Sequence, residues 1–204
     1  MQEQVLELLA PQRGHFLLES GHHGDLWFDL ETLCLHPRKV DTLAVTMAER
    51  LAPLKLEGVC GALVEGAFVS LMVASKLDVE FTYSERFARV STDGLFPAGY
   101  RIPASLRAGL RGKRVAVVND VTNAGSAVRG TYEDLRACGA EVVAFGTLLL
   151  LGESFARFAA EEGVPLHALA RLPNNLWTPA ECPLCAAKAP LQDLGGYRAA
   201  LSAG

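Results

Sequence analysis

The sequence predicts an α/β domain with a mostly parallel central sheet and helices on both faces. Three observations carry that prediction. Apolar runs of strand length alternate with segments of helical periodicity from about residue 40 onward. The longest apolar stretch, Val142 to Leu151, is too short to span a bilayer and reads as a strand buried in a core. Another run, Arg114 to Val118, leads into polar residues and a small-residue loop that opens a helix, the join at which open α/β sheets bind ligands.

Taken in order, Val5, Leu8 and Leu9 give residues 3–10 a short helical stripe. From Phe16 to Asp29 the chain turns polar and glycine-rich. Val40, Leu43, Ala44, Met47, Ala48 and Leu51 recur at helical spacing, and Pro53 stops that helix. Gly58 to Val64 is a short buried strand, followed by a helix from about Gly66 to Lys76 and a second strand at Val79 to Tyr83. Between Glu85 and Arg111 no period is visible, so residues 86–111 are expected to form a long loop, functional or mobile. Arg114 to Val118 is a third strand. The helix after it carries Val128, Thr131, Leu135 and Cys138 on one face and ends at Gly139. Val142 to Leu150, Ser154 to Glu162 and Leu166 to Leu169 complete the pattern as strand, helix and strand.

A chain of 204 residues, half of them apolar, fits a single domain over 1–204 with a substantial core. A formal net charge of -4 leaves no basic surplus for a phosphate backbone, so nucleic-acid binding is not expected. The opening residues lack the basic start and apolar run of a signal peptide, so no membrane association and a cytoplasmic address are expected. Five cysteines, scattered except for Cys182 and Cys185, argue against a disulfide framework.

The chemistry-bearing run is Val115-Ala116-Val117-Val118-Asn119-Asp120-Val121-Thr122-Asn123-Ala124-Gly125-Ser126-Ala127. A helix N-terminus offers unpaired backbone N–H groups and a favourable dipole to a phosphate. Gly125 permits close backbone approach, Thr122, Asn123 and Ser126 can add side-chain donors, and Asp120 at the strand end can accept from sugar hydroxyls. The same pattern also describes a plain strand–turn–helix with Asn123 or Ser126 as N-cap.

This run resembles the phosphoribosyl-pyrophosphate (PRPP) motif of the type I phosphoribosyltransferases. In that family an acidic pair bonds the ribose hydroxyls and the following loop cradles the 5-phosphate. The resemblance therefore implies a ribose role for Asn119 and Asp120 and a phosphate loop of Thr122, Asn123, Ala124, Gly125 and Ser126. Asn119 stands where the first acid usually is. A second run, Gly14-His15-Phe16-Leu17-Leu18-Glu19-Ser20-Gly21-His22-His23-Gly24-Asp25-Leu26-Trp27-Phe28-Asp29, is similar to the N-terminal signature of orotate phosphoribosyltransferases. It implies a small hood over residues 1–35 in which Trp27 and Phe28 line the base pocket; without it, two aromatics packed in a core explain them equally well. The two matches fall in the right order within residues 1–150. The tail, 172–204, contains Glu181-Cys182-Pro183-Leu184-Cys185 and resembles the ending of one bacterial branch.

Three positions depart from the family pattern. The pyrophosphate loop falls at Leu63-Val64-Glu65-Gly66-Ala67, with Glu65 where a lysine is common, and a carboxylate beside pyrophosphate is repulsive unless a cation intervenes. In the long loop Arg86 and Arg89 keep positive charge for the leaving group, but Val90 and Ser91 replace an Asp and a His. The strand ending Leu148-Leu149-Leu150-Leu151-Gly152 lacks an Asp-Arg pair.

Cys182 and Cys185 have the spacing of half a structural zinc site, which needs about four ligands. Cys34, His36, His167 or a partner subunit are the sequence candidates for the remainder, and two plain thiols are the default.

The resemblance implies phosphoribosyl transfer from PRPP to a pyrimidine base, foremost orotate, by a homodimer using substrate-bound magnesium. Asp120, Arg86 and Arg89 would act in catalysis. Asn119, residues 122–126, Glu65, Gly66, Trp27 and Phe28 would bind substrate. The substituted positions motivate a second reading, a catalytically impaired relative that binds PRPP or a nucleotide in a regulatory role.

Overall fold

In a computed structural model, which describes residues 1–88, 95 and 98–197, two sheets organise the chain. The larger is built from β3 (Gly58–Ala62), β4 (Glu80–Ala88), β5 (Ala98–Arg101), β6 (Arg114–Thr122), β7 (Glu141–Leu151) and β8 (Leu166–Leu172), in the order β5-β4-β3-β6-β7-β8. All pairings are parallel except that of β4 with β5 at one edge.

The period-2 geometry of β6 shows why both faces need cover. Ala116 and Val118 join one core cluster, with Val5 and Leu9 of α1 (Gln2–Leu9), Leu43 and Met47 of α2 (Pro37–Leu51), and Val69 and Val73 of α3 (Glu65–Leu77). Val115 and Val117 join the other, with Val128 and Leu135 of α5 (Ser126–Ala137) and Phe155 and Ala159 of α6 (Ser154–Glu161). This is the expected α/β architecture with helices on both faces.

Two regions are more regular than the sequence pattern suggests. The stretch after Glu85 continues β4 to Ala88, which pairs with β5, and then enters a short helix, α4 (Ala104–Arg107). The pairing is stabilised by side chains across the two strands. The Phe87 ring lies where a Cβ on its partner Gly99 would stand, and the Arg101 guanidinium sits 5.3 Å from the centre of that ring. Arg89, Val90 and Ser91 lie outside the described residues.

The glycine-rich segment from Phe16 to Asp29 is likewise structured. β1 (Gln12–Leu17) and β2 (His23–Trp27) form an antiparallel hairpin, and the tail adds β9 (Leu176–Trp177). Glycine content hid the hairpin because its turn is closed by Gly21 at φ 79° and by a bond from the Leu18 N–H to the His22 carbonyl at 2.9 Å. The tail continues past a short helix, α7 (Pro183–Ala186), to run beside β1. There the Leu17 N–H donates to the Gln192 carbonyl and the Gln192 N–H to the His15 carbonyl, each at 2.9 Å. Among the described residues no helix is long and apolar enough to cross a membrane.

Candidate active site

A cavity of about 600 Å³ opens between the carboxyl end of β6 and the N-terminal hairpin. One wall is a single stretch of chain. β6 delivers Asn119 to the wall with Asp120 buried beside it, the chain turns through residues 122–125, and α5 begins at Ser126. Gly125 is the N-cap, with φ 83° and no side-chain cap bond, so neither Asn123 nor Ser126 caps the helix. A Cβ at Gly125 would overlap the Phe155 ring as well as strain the backbone, which makes glycine doubly required there. The helix N-terminus keeps its first backbone N–H groups directed at the cavity without a competing side chain.

Asp120 is 3% exposed and its Oδ2 has no hydrogen-bond partner among the described residues. Its Oδ1 accepts from Asn119 Nδ2 at 2.8 Å, and the same amide donates to the Val121 carbonyl at 3.0 Å. Asn119 thus orients the acid rather than repelling it, as a second carboxylate would. Burial pushes the Asp120 carboxyl up to about 7; neighbouring backbone amides pull it down, while Glu65 raises it.

Glu65 does line the cavity, at the start of α3 after a cis peptide bond between Leu63 and Val64. Gly66 is packed so tightly on the Asn119 amide oxygen that any Cβ there would overlap it. Gly66 is therefore a spacer that lets the start of α3 approach β6.

Some predicted donors are otherwise engaged. Thr122 directs its hydroxyl inward to Thr147 Oγ1 at 3.1 Å, and Asn123 accepts from Asn174 Nδ2 at 3.0 Å. Arg129, which sequence reasoning did not single out, fixes the loop from beneath. Its Nε donates to the Ala124 carbonyl at 2.8 Å while the guanidinium lies 4.1 Å over the Phe158 ring.

The opposite wall is the hairpin. Trp27 and Phe28 both face the cavity, although Phe28 also belongs to the core. Two further residues there were missed. Glu19 accepts from Arg86 Nε and from the Tyr100 hydroxyl, each at 2.7 Å, and so ties the hairpin to the β4–β5 arm. Burial and then Glu19 push the Tyr100 phenol well above its ordinary value. Tyr197, from the tail, has its ring 6.4 Å from Trp27 and its phenol pushed up to about 12, chiefly by burial. Glu19 lay inside the quoted N-terminal run, whereas nothing in the sequence brings Tyr197 to it. Arg86 is not among the residues lining the cavity; its Nε is held by Glu19, which is. Cys182 and Cys185 lie apart from the cavity, and the residues around them are His15 and His23 rather than Cys34, His36 or His167.

The strand order, the parallel pairing and the β6–loop–α5 cavity define a type I phosphoribosyltransferase fold. Adenine phosphoribosyltransferase from Thermoanaerobacter pseudethanolicus shares that fold at a TM-score of 0.65 over 84% of this chain and 100% of its own, with 15% identity. Orotate phosphoribosyltransferase from Aeropyrum pernix superposes at a TM-score of 0.63 over 84% of this chain and 94% of its own, with 26% identity. No protein-family model matches the chain. Full-length relatives do: orotate phosphoribosyltransferase from Thermotoga maritima is 30% identical over 199 residues, covering 96% of this chain and 97% of the relative. That from Caldanaerobacter subterraneus is 28% identical over 200 residues, covering 96% and 98%. The chain belongs to the orotate phosphoribosyltransferase family.

Proposed function

We propose that this protein transfers the phosphoribosyl group of PRPP to orotate, giving the nucleotide monophosphate and pyrophosphate. The observation that carries the reading is an uncapped helix N-terminus in a cavity whose far wall is aromatic, with the buried Asp120, its Oδ2 unpartnered, next to the lining residue Asn119. The acid accepts from the ribose hydroxyls, residues 122–126 hold the 5-phosphate on backbone N–H groups, and Trp27 and Phe28 pack against the base. Because the Thr122 hydroxyl is engaged by Thr147, the phosphate grip rests on the backbone and on Ser126.

In the reaction the bond from C1 of ribose to pyrophosphate breaks, with the electron pair leaving on oxygen. A ring nitrogen of the base forms the new bond to C1 and loses its proton. Positive charge develops on the sugar as the leaving group departs. Negative charge from Glu65, and from Asp120 as it ionises near 7, favours that state over the ground state.

Magnesium arriving with the substrate suits these hard oxygen donors, and when bound it offsets the repulsion between Glu65 and pyrophosphate. Arg86 adds positive charge behind Glu19 of the hairpin wall, and Arg89 is assigned to the leaving group by family resemblance. A homodimer and a cytoplasmic address belong to the same proposal. The regulatory alternative is not favoured, since full-length relatives at about 30% identity carry the enzyme's name.

The test is loss of orotate absorbance on mixing protein with PRPP and magnesium, beside an Asp120→Ala control. Steady turnover abolished in the variant is the expected result. Binding of PRPP without turnover on any base would overturn the catalytic reading.

A further inference from the structure

Sequence spacing made Cys182 and Cys185 half of a metal site, and the fold supplies the other half from the opposite end of the chain. His15 of β1, His23 of β2, Cys182 and Cys185 bring one nitrogen or sulfur atom each to within 4.8 Å of one another. His15 Nε2 lies 3.2 Å from His23 Nδ1, 3.4 Å from Cys182 Sγ and 3.8 Å from Cys185 Sγ. Cys185 Sγ lies 3.2 Å from His23 Nδ1. A tetrahedral zinc ion, with bonds of about 2.0 Å to nitrogen and about 2.3 Å to sulfur, spaces its ligand atoms roughly 3.3–3.8 Å apart. The four recorded separations fall close to that range.

Hydrogen bonding alone explains the cluster poorly. His15 Nδ1 is 3.0 Å from the Ala189 carbonyl oxygen and must donate to it, so in the neutral ring Nε2 is the acceptor with one lone pair. One lone pair accepts from one donor, yet three atoms crowd around it. A shared cation accounts for all three approaches, and the Nδ1–H bond to a carbonyl is the outer contact that fixes a metal-binding histidine. Two thiolates also balance the double charge of the ion in a site where His15, His23 and Cys182 are buried. The two-sulfur, two-nitrogen donor set suits zinc.

We infer that His15, His23, Cys182 and Cys185 form a structural zinc site that clamps the C-terminal tail to the N-terminal hairpin. All four ligand positions are filled by protein, so the ion has no open position for chemistry. Its effect reaches the cavity through the tail, which runs on from the site beside β1 and delivers Leu194, Gly195 and Tyr197 to the cavity wall. The inference stands on the cluster itself and holds whatever the substrate is.

Elemental analysis of untagged protein tests it directly. One zinc per chain is expected, and cobalt(II) substituted for it should give the visible bands of a tetrahedral, thiolate-bound ion. Cys185→Ser and His23→Ala should each lower bound zinc at least tenfold after dialysis against a weak chelator. Should either variant fail to fold, zinc content and the cobalt spectrum of the parent still decide. Parent protein without zinc and without the cobalt bands would overturn the site. So would a folded His23→Ala protein with full zinc and an unchanged cobalt spectrum, which would show that His23 is no ligand and the four-residue site is wrong.

Discussion

The two walls of the cavity are built in opposite ways. The wall proposed to hold phosphate takes Asn119 and residues 121–128 from one continuous stretch, strand to turn to helix, with its glycine required by both φ and packing. The wall proposed to face the base gathers residues from Leu18 to Glu31 at one end of the chain and Leu194, Gly195 and Tyr197 at the other. It is held together by contacts such as Asn175 to Asp25, which span 150 positions. The first wall is rigid because local geometry dictates it. The second depends on distant segments meeting, so changes there should affect base recognition more than phosphate binding.

The largest effect should come from the acid at the root of the first wall. Asp120→Asn keeps the shape but removes the charge, and turnover should fall about 10²–10³-fold, the scale seen when one electrostatic group is lost from an active site. Stability should move the other way. Because the folded-state carboxyl is raised to about 7 from an ordinary 3.8, its contribution is fully present below the ordinary value and is lost as pH rises through 7. The variant should therefore melt above the parent at pH 8, with the gap narrower at pH 5 and closing only near the ordinary value of 3.8. Melting curves at the two pH values check this, and an equal gap at both would mean Asp120 is not held protonated by burial.

How much could be read from the sequence follows the same division. Strand β6, the loop and α5 were legible because apolar run, glycine and helix period are adjacent in the chain. Residues 122–126 form the turn and helix start that line the cavity, while Asp120 lies buried at the end of β6 behind it. The inward turn of the Thr122 hydroxyl was not legible, since it depends on Thr147 in the neighbouring strand. The hairpin was missed because its glycines weaken the strand pattern, and its pairing with β9 is a long-range event. Likewise the two cysteines were visible as a pair, but no spacing rule links them to histidines at the other end of the chain.

A crossed pair of substitutions sharpens the contrast between the walls. Gly125→Ala forces a positive φ on a residue with a side chain and drives its Cβ into Phe155. A cost of about 1–3 kcal/mol in stability is expected, with the KM for PRPP raised more than that for the base. Trp27→Ala should do the reverse, raising the KM for the base roughly tenfold, as loss of about 1–1.5 kcal/mol of aromatic contact implies, and leaving PRPP within a factor of about two, a near-neutral result on the same scale. Steady-state kinetics varying each substrate in turn would separate the two. Equal changes in both KM values for either variant would break the assignment of separate walls.

The smallest effect should appear where hairpin and arm meet. Glu19 accepts from Arg86 and from Tyr100, yet the Arg86 side chain is 41% exposed, so the ion pair is screened and contributes about 1 kcal/mol or less to stability. Glu19→Gln retains an oxygen for the buried Tyr100 hydroxyl and gives up the charge attraction to Arg86. The melting temperature should barely move. If Arg86 is free to serve the leaving group once Glu19 lets go, the KM for PRPP should fall modestly and its salt dependence should steepen, because a newly available guanidinium meets pyrophosphate by a screened interaction. If the pair instead exists to hold hairpin against arm, the base KM should rise and PRPP should be unaffected. Salt-dependent kinetics of this one variant therefore tell whether Arg86 acts on substrate or as a strut between the two walls.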